Sequence, residues 1–424
     1  MNDPASLPPL GRRGVLLSGG AMLACAPALA AHHRKHATVV AAPAPTAPSG
    51  DEDADSGGDA TSPASAATTP LGPLDTVARE GCIIDYNTGA TLLDKQADTP
   101  MVPSSLTKLM TAYLVFQALA AGKLTLTQQL PVSEKAWRMG GSKMFVPYPG
   151  SVAVEDLIRG MITQSGNDAC IVLAEGLSGS EDQFVNRMNE TAAKLGLKNS
   201  NFRNCTGWPD PDHHMSARDI AELAHHLIAD FPQYYHYFGE KDYSYNGIHQ
   251  GNRNTLVAKG IADGLKTGHT EEGGFGECTS AERNGRRVIV VLNGMSSMKE
   301  RAHETERLLE WAFESFENVQ FLTQGQTFDT VPVWMGAQPS VTLVAAQGAL
   351  VTLPRGWKTK AKVDVTYETP VRAPVRQGDQ LGHMTIAGDG IPAMDLPLVA
   401  AASVPRIGLT ERAMRTVSHF VTGA

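Results

Sequence analysis

The chain of 424 residues reads as an α+β protein. Two observations predict that class. Strand-like apolar runs stand at both ends of the region 74–318 with a block of helical periodicity between them, so the sheet must assemble from sequence-distant parts. After Phe321 the texture changes to short runs of alternating apolar and polar residues broken by Gly and Pro, as in a small all-β sandwich.

At the N-terminus, Arg12-Arg13 precede a mildly apolar stretch, Gly14 to Ala31, that includes the small-x-small string Ala28-Leu29-Ala30. This is the pattern of a cleaved export signal over residues 1–30, and the paired arginines favour the twin-arginine route. The stretch is too short and too weakly apolar to span a bilayer. Residues 31–73 are mostly Ala, Pro, Ser, Thr, Gly and Asp, with almost no large apolar side chain. Such a segment buries too little surface to offset its ordering entropy, and a disordered linker is expected.

Region 74–318 opens on a hairpin: Gly81 to Tyr86 and Ala90 to Leu93 flank the turn residues Asn87-Thr88-Gly89. Pro103-Ser104 then punctuates the chain before Leu106, Leu109, Met110, Tyr113, Leu114 and Ala118, which recur at helical spacing. Ser105 thus falls in the first turn of a buried helix, with Lys108 one turn on. Further helical patterns run over Val154–Thr163, Asp168–Leu177, Glu181–Leu195 and Ala217–Ala229. Strands return at Gly264–Thr267, Phe275–Glu282 and Arg287–Gly294, and a closing helix is expected from Glu300 to Phe316.

In region 319–403 the runs Ser340-Val341-Thr342-Leu343-Val344 and Lys362 to Tyr367 read as sandwich strands. The last segment, 404–424, differs again. Ile407, Met414, Val417, Phe420 and Val421 fall on one helical side and Arg412 and Arg415 on the other, the pattern of an amphipathic helix that anchors at a membrane surface or, alternatively, packs on the sandwich.

Composition narrows the function classes. A formal net charge of -8, with no long run of Lys and Arg, excludes a nucleic-acid groove. Metal catalysis is disfavoured, because there is no C-x-x-C or H-E-x-x-H string and the adjacent pairs His213-His214 and His225-His226 point apart. No metal and no cofactor is expected. After loss of Cys25 with the signal, Cys82, Cys170, Cys205 and Cys278 remain, and a chain this large needs no obligatory bridge among them.

Three strings carry chemistry: Ser105-Leu106-Thr107-Lys108, Ser165-Gly166-Asn167 and Lys266-Thr267-Gly268. Singly each is weak, since S-x-x-K arises roughly once or twice by chance in a chain of this length. Ser296-Ser297-Met298-Lys299 and Ser244-Tyr245-Asn246 are indeed such decoys. In order, the three describe acyl transfer. A serine hydroxyl needs a neighbouring base, and Lys108 can serve if it is kept neutral by burial and by a second cation, Lys266. Gly268 permits close approach to a strand.

With its flanking strings the chain resembles the D-alanyl-D-alanine carboxypeptidases, low-molecular-mass penicillin-binding proteins of serine peptidase type. The resemblance runs from about Glu80 to the C-terminus. It is carried by Ser105 to Thr111, Gly140-Gly141-Ser142-Lys143-Met144, Gln164 to Ala169, Gly207-Trp208-Pro209-Asp210, Asn252-Arg253-Asn254 and Asp263 to Thr270. It implies a penicillin-binding, β-lactamase-like transpeptidase domain, a following β-domain and a C-terminal amphipathic anchor. It further implies that Ser105, Lys108, Ser165 and Lys266 are catalytic, with Ser165 relaying a proton to the departing amine. Asn167, Thr267, Gly268, His269, Arg301 and Arg253 would bind substrate, and the backbone N–H groups of Ser105 and His269 would form an oxyanion hole. The implied partners are peptidoglycan stem peptides, β-lactams as covalent inhibitors and a membrane surface; the implied location is periplasmic. Three alternatives share the motifs: a DD-endopeptidase, a class A β-lactamase, whose middle string is usually Ser-Asp-Asn, and a non-catalytic peptidoglycan-binding or penicillin-sensing module.

Overall fold

The computed structural model describes residues 62–388 and 391–422. The export signal expected over 1–30, and the linker as far as 61, lie outside the described residues. From Ser62 onward the linker expectation is corrected. Ser65–Ala67 pairs antiparallel with Leu74–Thr76, Thr68 exchanges backbone hydrogen bonds with Asp94, and Ser62 bonds the Glu300 carboxylate through both its N–H and its hydroxyl. Backbone pairing holds this segment where side-chain burial alone would not, and only Ala67 enters a core.

The central sheet has five antiparallel strands: β1 (Glu80–Asp85), β2 (Thr91–Lys95), β3 (Gly264–Thr270), β4 (Gly274–Arg283) and β5 (Arg286–Met295). Their order is β2-β1-β5-β4-β3, so strands from the two ends of the region meet in the middle and β3 lies at an edge. On β5, Ile289 and Val291 enter one core while Val288, Val290 and Leu292 enter another. A strand buried on both faces is why Val288 to Leu292 reads as an unbroken apolar run.

Helices α1 (Lys108–Ala120), α2 (Val154–Thr163), α3 (Asn167–Ser178), α4 (Glu181–Leu195) and α5 (Ala217–Asp230) pack into the larger core, and α6 (Met298–Ser315) covers the other face. Helix α1 is buried almost all round, from Lys108 to Leu119, as a helix apolar on every side must be. Ser180, Ser216 and Ser297 cap α4, α5 and α6 by accepting N–H bonds from the third residue onward. The decoy at Ser296-Ser297 is therefore a helix start.

From α6 the chain passes directly into β6 (Phe316–Leu322), three residues earlier than the expected boundary. Phe316 is buried and its carbonyl accepts from Arg286 Nη1 at 2.9 Å, which extends the backbone as soon as the helix ends. Strands β7 (Thr327–Trp334), β8 (Ser340–Ala345), β9 (Ala349–Pro354), β10 (Ala361–Tyr367), β11 (Val371–Arg372), β12 (Gln380–Gly388) and β13 (Ile391–Ala400) complete this part. They form a six-stranded sheet, β10-β12-β13-β8-β7-β11, and a two-stranded one, β6-β9. Asp85, fully buried, joins the two parts by accepting from Arg286 Nε at 2.8 Å and Asn318 Nδ2 at 3.0 Å.

The final helix, α7, is Leu409–Thr422. Ile407 is not on it: this residue is buried and its N–H bonds Met335 O at 3.0 Å, so it seals the β-domain. Met414 and Leu409 are 66% and 78% exposed, whereas the side chains of Val417, Phe420 and Val421 lie outside the described residues.

Candidate active site

The first of the three strings begins as a 3-10 turn, Ser104–Thr107, which runs straight into α1 at Lys108. In a 3-10 turn side chains three apart eclipse one another. That geometry sets Lys108 Nζ to donate to Ser105 Oγ at 2.7 Å, closer in angle than an α-helical turn would bring them. Lys108 is 2% exposed, and Ser105 is the one half-buried residue between buried Pro103 and Lys108. A second bond from Lys108 Nζ reaches Thr206 O at 2.8 Å.

Thr206 belongs to a loop wound around one side chain. Asn204 Oδ1 accepts from the N–H groups of Thr206, Gly207 and Trp208 at 3.1, 2.8 and 3.0 Å. Gly207 has φ 84°, and a Cβ there would stand 1.7 Å from Ser104 O. Only glycine allows the lysine-holding loop to touch the serine turn.

Ser165 lies in the turn between α2 and α3, fully buried at φ 59°, its Oγ with no hydrogen-bond partner among the described residues. An orphaned hydroxyl in a strained backbone is a mark of a site whose partner arrives later. Two residues on, Asn167 opens α3; its Nδ2 donates to Gly140 O at 2.9 Å and its N–H to Ser142 O at 2.7 Å. Asp168 then accepts from the N–H groups of Met144, Phe145 and Val146 at 2.9, 2.8 and 3.1 Å. Burial pushes its carboxyl up, and these backbone donors oppose the shift.

The opposite wall is the edge strand β3. Lys266, 3% exposed, donates from Nζ to Thr267 O at 2.9 Å, and both Lys266 and Lys108 act electrostatically on the buried Cys170 thiol of α3. The three strings therefore converge on one place. Thr267 Oγ1 is buried without a hydrogen-bond partner among the described residues. At Gly268 a Cβ would stand 3.1 Å from Ser105 N, so the strand lies directly against the serine amide. His269 follows, half-buried and stacked on Phe275 with ring centroids 3.8 Å apart.

The two arginines sit behind and beside this wall. Arg253 Nη1 donates to Ser142 Oγ, and its carbonyl accepts from Arg301 Nη2 at 3.2 Å, so it bridges the strand side to the Gly140–Met144 string. Arg301 is 2% exposed, with Nε 3.4 Å from the buried Glu277 carboxylate. Glu277 is the register partner of Thr267 on β4. Burial pushes its carboxyl up to about 7, against the pull of Arg301.

The sequence reading missed Asn204, Thr206, Asp168 and Glu277. An Asn and a Gly three apart in Asn204 to Gly207 do signal a turn, and Asp168 sits where a helix first turn favours an acid. No local signal marks Glu277, whose role comes from strand pairing. Among the described residues, Cys82, Cys170, Cys205 and Cys278 are buried free thiols, and burial pushes Cys82 and Cys170 up to about 12.

Comparison with known proteins places this geometry in context. A sequence profile for D-alanyl-D-alanine carboxypeptidase matches residues 65–296, and one for the C-terminal domain of penicillin-binding protein 5 matches residues 316–406. The chain is 38% identical over 344 residues to the D-alanyl-D-alanine carboxypeptidase DacC of Escherichia coli, covering 79% of this chain and 86% of that one. It is 31% identical to DacF of Bacillus subtilis, over 81% and 90% of the two chains. Among solved structures, penicillin binding protein 5 from Haemophilus influenzae matches with a TM-score of 0.68 at 37% identity, over 78% of this chain and 98% of that one.

Proposed function

The chain belongs to the D-alanyl-D-alanine carboxypeptidase family of penicillin-binding serine peptidases, and from that premise we propose that Ser105 is the nucleophile and Lys108 its base. The observation that carries this assignment is the 2.7 Å contact from Lys108 Nζ to Ser105 Oγ in an otherwise buried turn. The substrate is a peptidoglycan stem pentapeptide ending in D-Ala-D-Ala.

Ser105 Oγ attacks the carbonyl carbon of the penultimate D-alanine while Lys108, uncharged at that moment, accepts the hydroxyl proton. The oxyanion is held by the N–H groups of Ser105 and His269, which the close packing at Gly268 supports. The C–N bond then breaks, the terminal amine takes that proton from Lys108 through Ser165, and D-alanine leaves. Water attacks the remaining ester, its proton passes to the again neutral Lys108 and from there to Ser105 Oγ as the ester C–O bond breaks, and Ser105 is regenerated. Asn167 bonds the substrate backbone, while Lys266, Thr267 and Gly268 receive the terminal carboxylate along the strand edge.

Arg253 and Arg301 complete the positive charge on that side. Because Arg301 is engaged by Glu277 and by the Arg253 carbonyl, its contribution to carboxylate binding runs through those contacts. The folded part that ends with α6, the β-domain from β6 to Ile407, and helix α7 divide the work into catalysis, spacing and attachment. Among the described residues no helix is long and apolar enough to cross a membrane. Attachment is assigned to α7, whose exposed Leu409 and Met414 can lie in the interface on the outer face of the inner membrane in the periplasm.

The deciding experiment is Ser105→Ala, read by D-alanine release from a pentapeptide and by intact mass after benzylpenicillin. Both release and the penicillin adduct should vanish; an adduct retained by the variant refutes the assignment.

A further inference from the structure

Four aromatic side chains are more than a third exposed among the described residues: Trp137, Phe145, Tyr148 and Trp208, at 41, 51, 44 and 37%. Trp137 lies on the short helix Glu134–Arg138, Phe145 and Tyr148 lie on the segment that follows it and bonds Asn167 and Asp168, and Trp208 lies on the Asn204 loop against Gly141. The remaining exposed large apolar residues, such as Leu71, Ile248 and Leu350, are aliphatic and lie elsewhere in the sequence. This clustering needs a cause.

Phe145 supplies the clearest sign. Met144 and Val146 on either side are buried, so Phe145 is turned outward, and it is held so at φ 65°. For a bulky side chain that backbone is a costly outlier. Its N–H bonds Asp168, the residue after Asn167, at 2.8 Å. The fold thus stabilises a strained loop that presents an apolar ring to water beside the catalytic cleft. Trp137 and Tyr148 stack at 5.7 Å between centroids, with interplanar angle 28°, and Lys143 Nζ ties the loop to Trp137 O at 2.8 Å. Trp208 lies against Gly141, 3.3 Å from where a Cβ would be.

We propose that this aromatic ledge binds the glycan strand that carries the stem peptide being trimmed. The inference rests on the peptidoglycan reading above. Sugar rings offer apolar C–H faces that pack on aromatic faces while their hydroxyls stay in water, which suits exposed, uncharged rings. Reach selects the same occupant. Four residues separate the scissile carbonyl from the glycan, a span of at most about 14 Å. Trp137 is three residues from Gly140, whose carbonyl Asn167 holds, so it lies within about 11 Å of that anchor along the chain. A strand whose stem enters the cleft can therefore reach the ledge with its sugars.

The test compares D-alanine release from a disaccharide-pentapeptide and from the same pentapeptide free, using the full chain, Phe145→Asn and a Trp137→Ser/Tyr148→Ser double variant. Asn tolerates the left-handed backbone, so the first variant keeps the loop. The wild-type chain should prefer the glycan-bearing substrate in kcat/KM. Each variant should raise its KM by about fivefold to tenfold, the factor expected when roughly 50 Å² of apolar ring face leaves water. Release from the free pentapeptide and acylation by benzylpenicillin should stay within about twofold of wild type, the scatter expected of surface substitutions. No glycan preference in the wild type, unchanged variants, or an equal loss on both substrates would each overturn the proposal; the last would mean that the rings serve the peptide or the loop. Failure of the wild type to release D-alanine from the free pentapeptide would instead refute the peptidase assignment.

Discussion

Replacing Gly207 by alanine tests how the site is built. At φ 84° the new Cβ would lie 1.7 Å from Ser104 O and 2.4 Å from Ser104 C, both backbone atoms of the Ser104–Thr107 turn. Relief to an ordinary contact requires a shift of more than about 1 Å, and neither partner is the flexible end of a side chain. The left-handed backbone costs about 1–2 kcal/mol and the overpacking about 1–3 more, so a loss of roughly 2–5 kcal/mol is expected. The displaced residue follows Thr206, whose carbonyl holds Lys108. A misplacement of about 1 Å in a catalytic group lowers the rate by roughly a hundredfold. Gly179 is the control, since it has φ 81° and nothing within 4 Å of its would-be Cβ. Gly179→Ala bears the backbone cost alone. The assay is the rate of Ser105 acylation by a chromogenic penicillin, with urea unfolding of both variants. Acylation of Gly207→Ala within threefold of wild type, or destabilisation no greater than that of Gly179→Ala, would refute the reasoning.

Three other outcomes are expected. His213 is buried, its Nε2 is bonded to Thr107 Oγ1 at 2.9 Å, and burial lowers its value from 6.5 to about 4. The unfolded chain binds that proton first, so its contribution is intact above about pH 6.5 and falls as pH drops toward 4, by about 2–3 kcal/mol at pH 4.5. Urea midpoints at pH 7 and 4.5 should therefore converge less for wild type than for His213→Gln; an equal drop in both sinks the assignment. Arg301→Met leaves the buried Glu277 carboxyl without its cation and should cost about 3–5 kcal/mol, whereas Arg301→Met with Glu277→Gln should recover a large part of that loss. A double variant no more stable than the single would show that the pair is not coupled. Finally, deleting 409–424 should abolish sedimentation with anionic phospholipid vesicles while leaving pentapeptide hydrolysis in solution unchanged; retained vesicle binding would remove α7 as the anchor.

Much of the architecture was legible along the chain because local periodicity reports which face is buried. The helices at Val154–Thr163 and Glu181–Leu195 fall where their apolar spacing puts them, and Ser180, Ser216 and Ser297 cap where a hydroxyl precedes a helix. Residues 62–73 escaped because their order comes from backbone pairing with Asp94 and a bond to Glu300, which composition does not record. Ile407 escaped for a related reason: a helical spacing cannot tell a residue on the helix from one just before it that seals a neighbouring sheet.

For the site, the residue types and order of Ser105, Lys108, Ser165, Asn167 and Lys266 were present in the sequence alone, together with the α+β class. Chemistry restricts which side chains can do acyl transfer, so their identities survive without a structure. What only the tertiary structure decided is how they meet. The eclipsed 3-10 turn brings Lys108 onto Ser105, the Asn204 loop fixes Lys108 from behind, and edge strand β3 approaches so closely that a Cβ at Gly268 would stand 3.1 Å from Ser105 N. The last two depend on packing between segments about a hundred residues or more apart, and no local pattern encodes them.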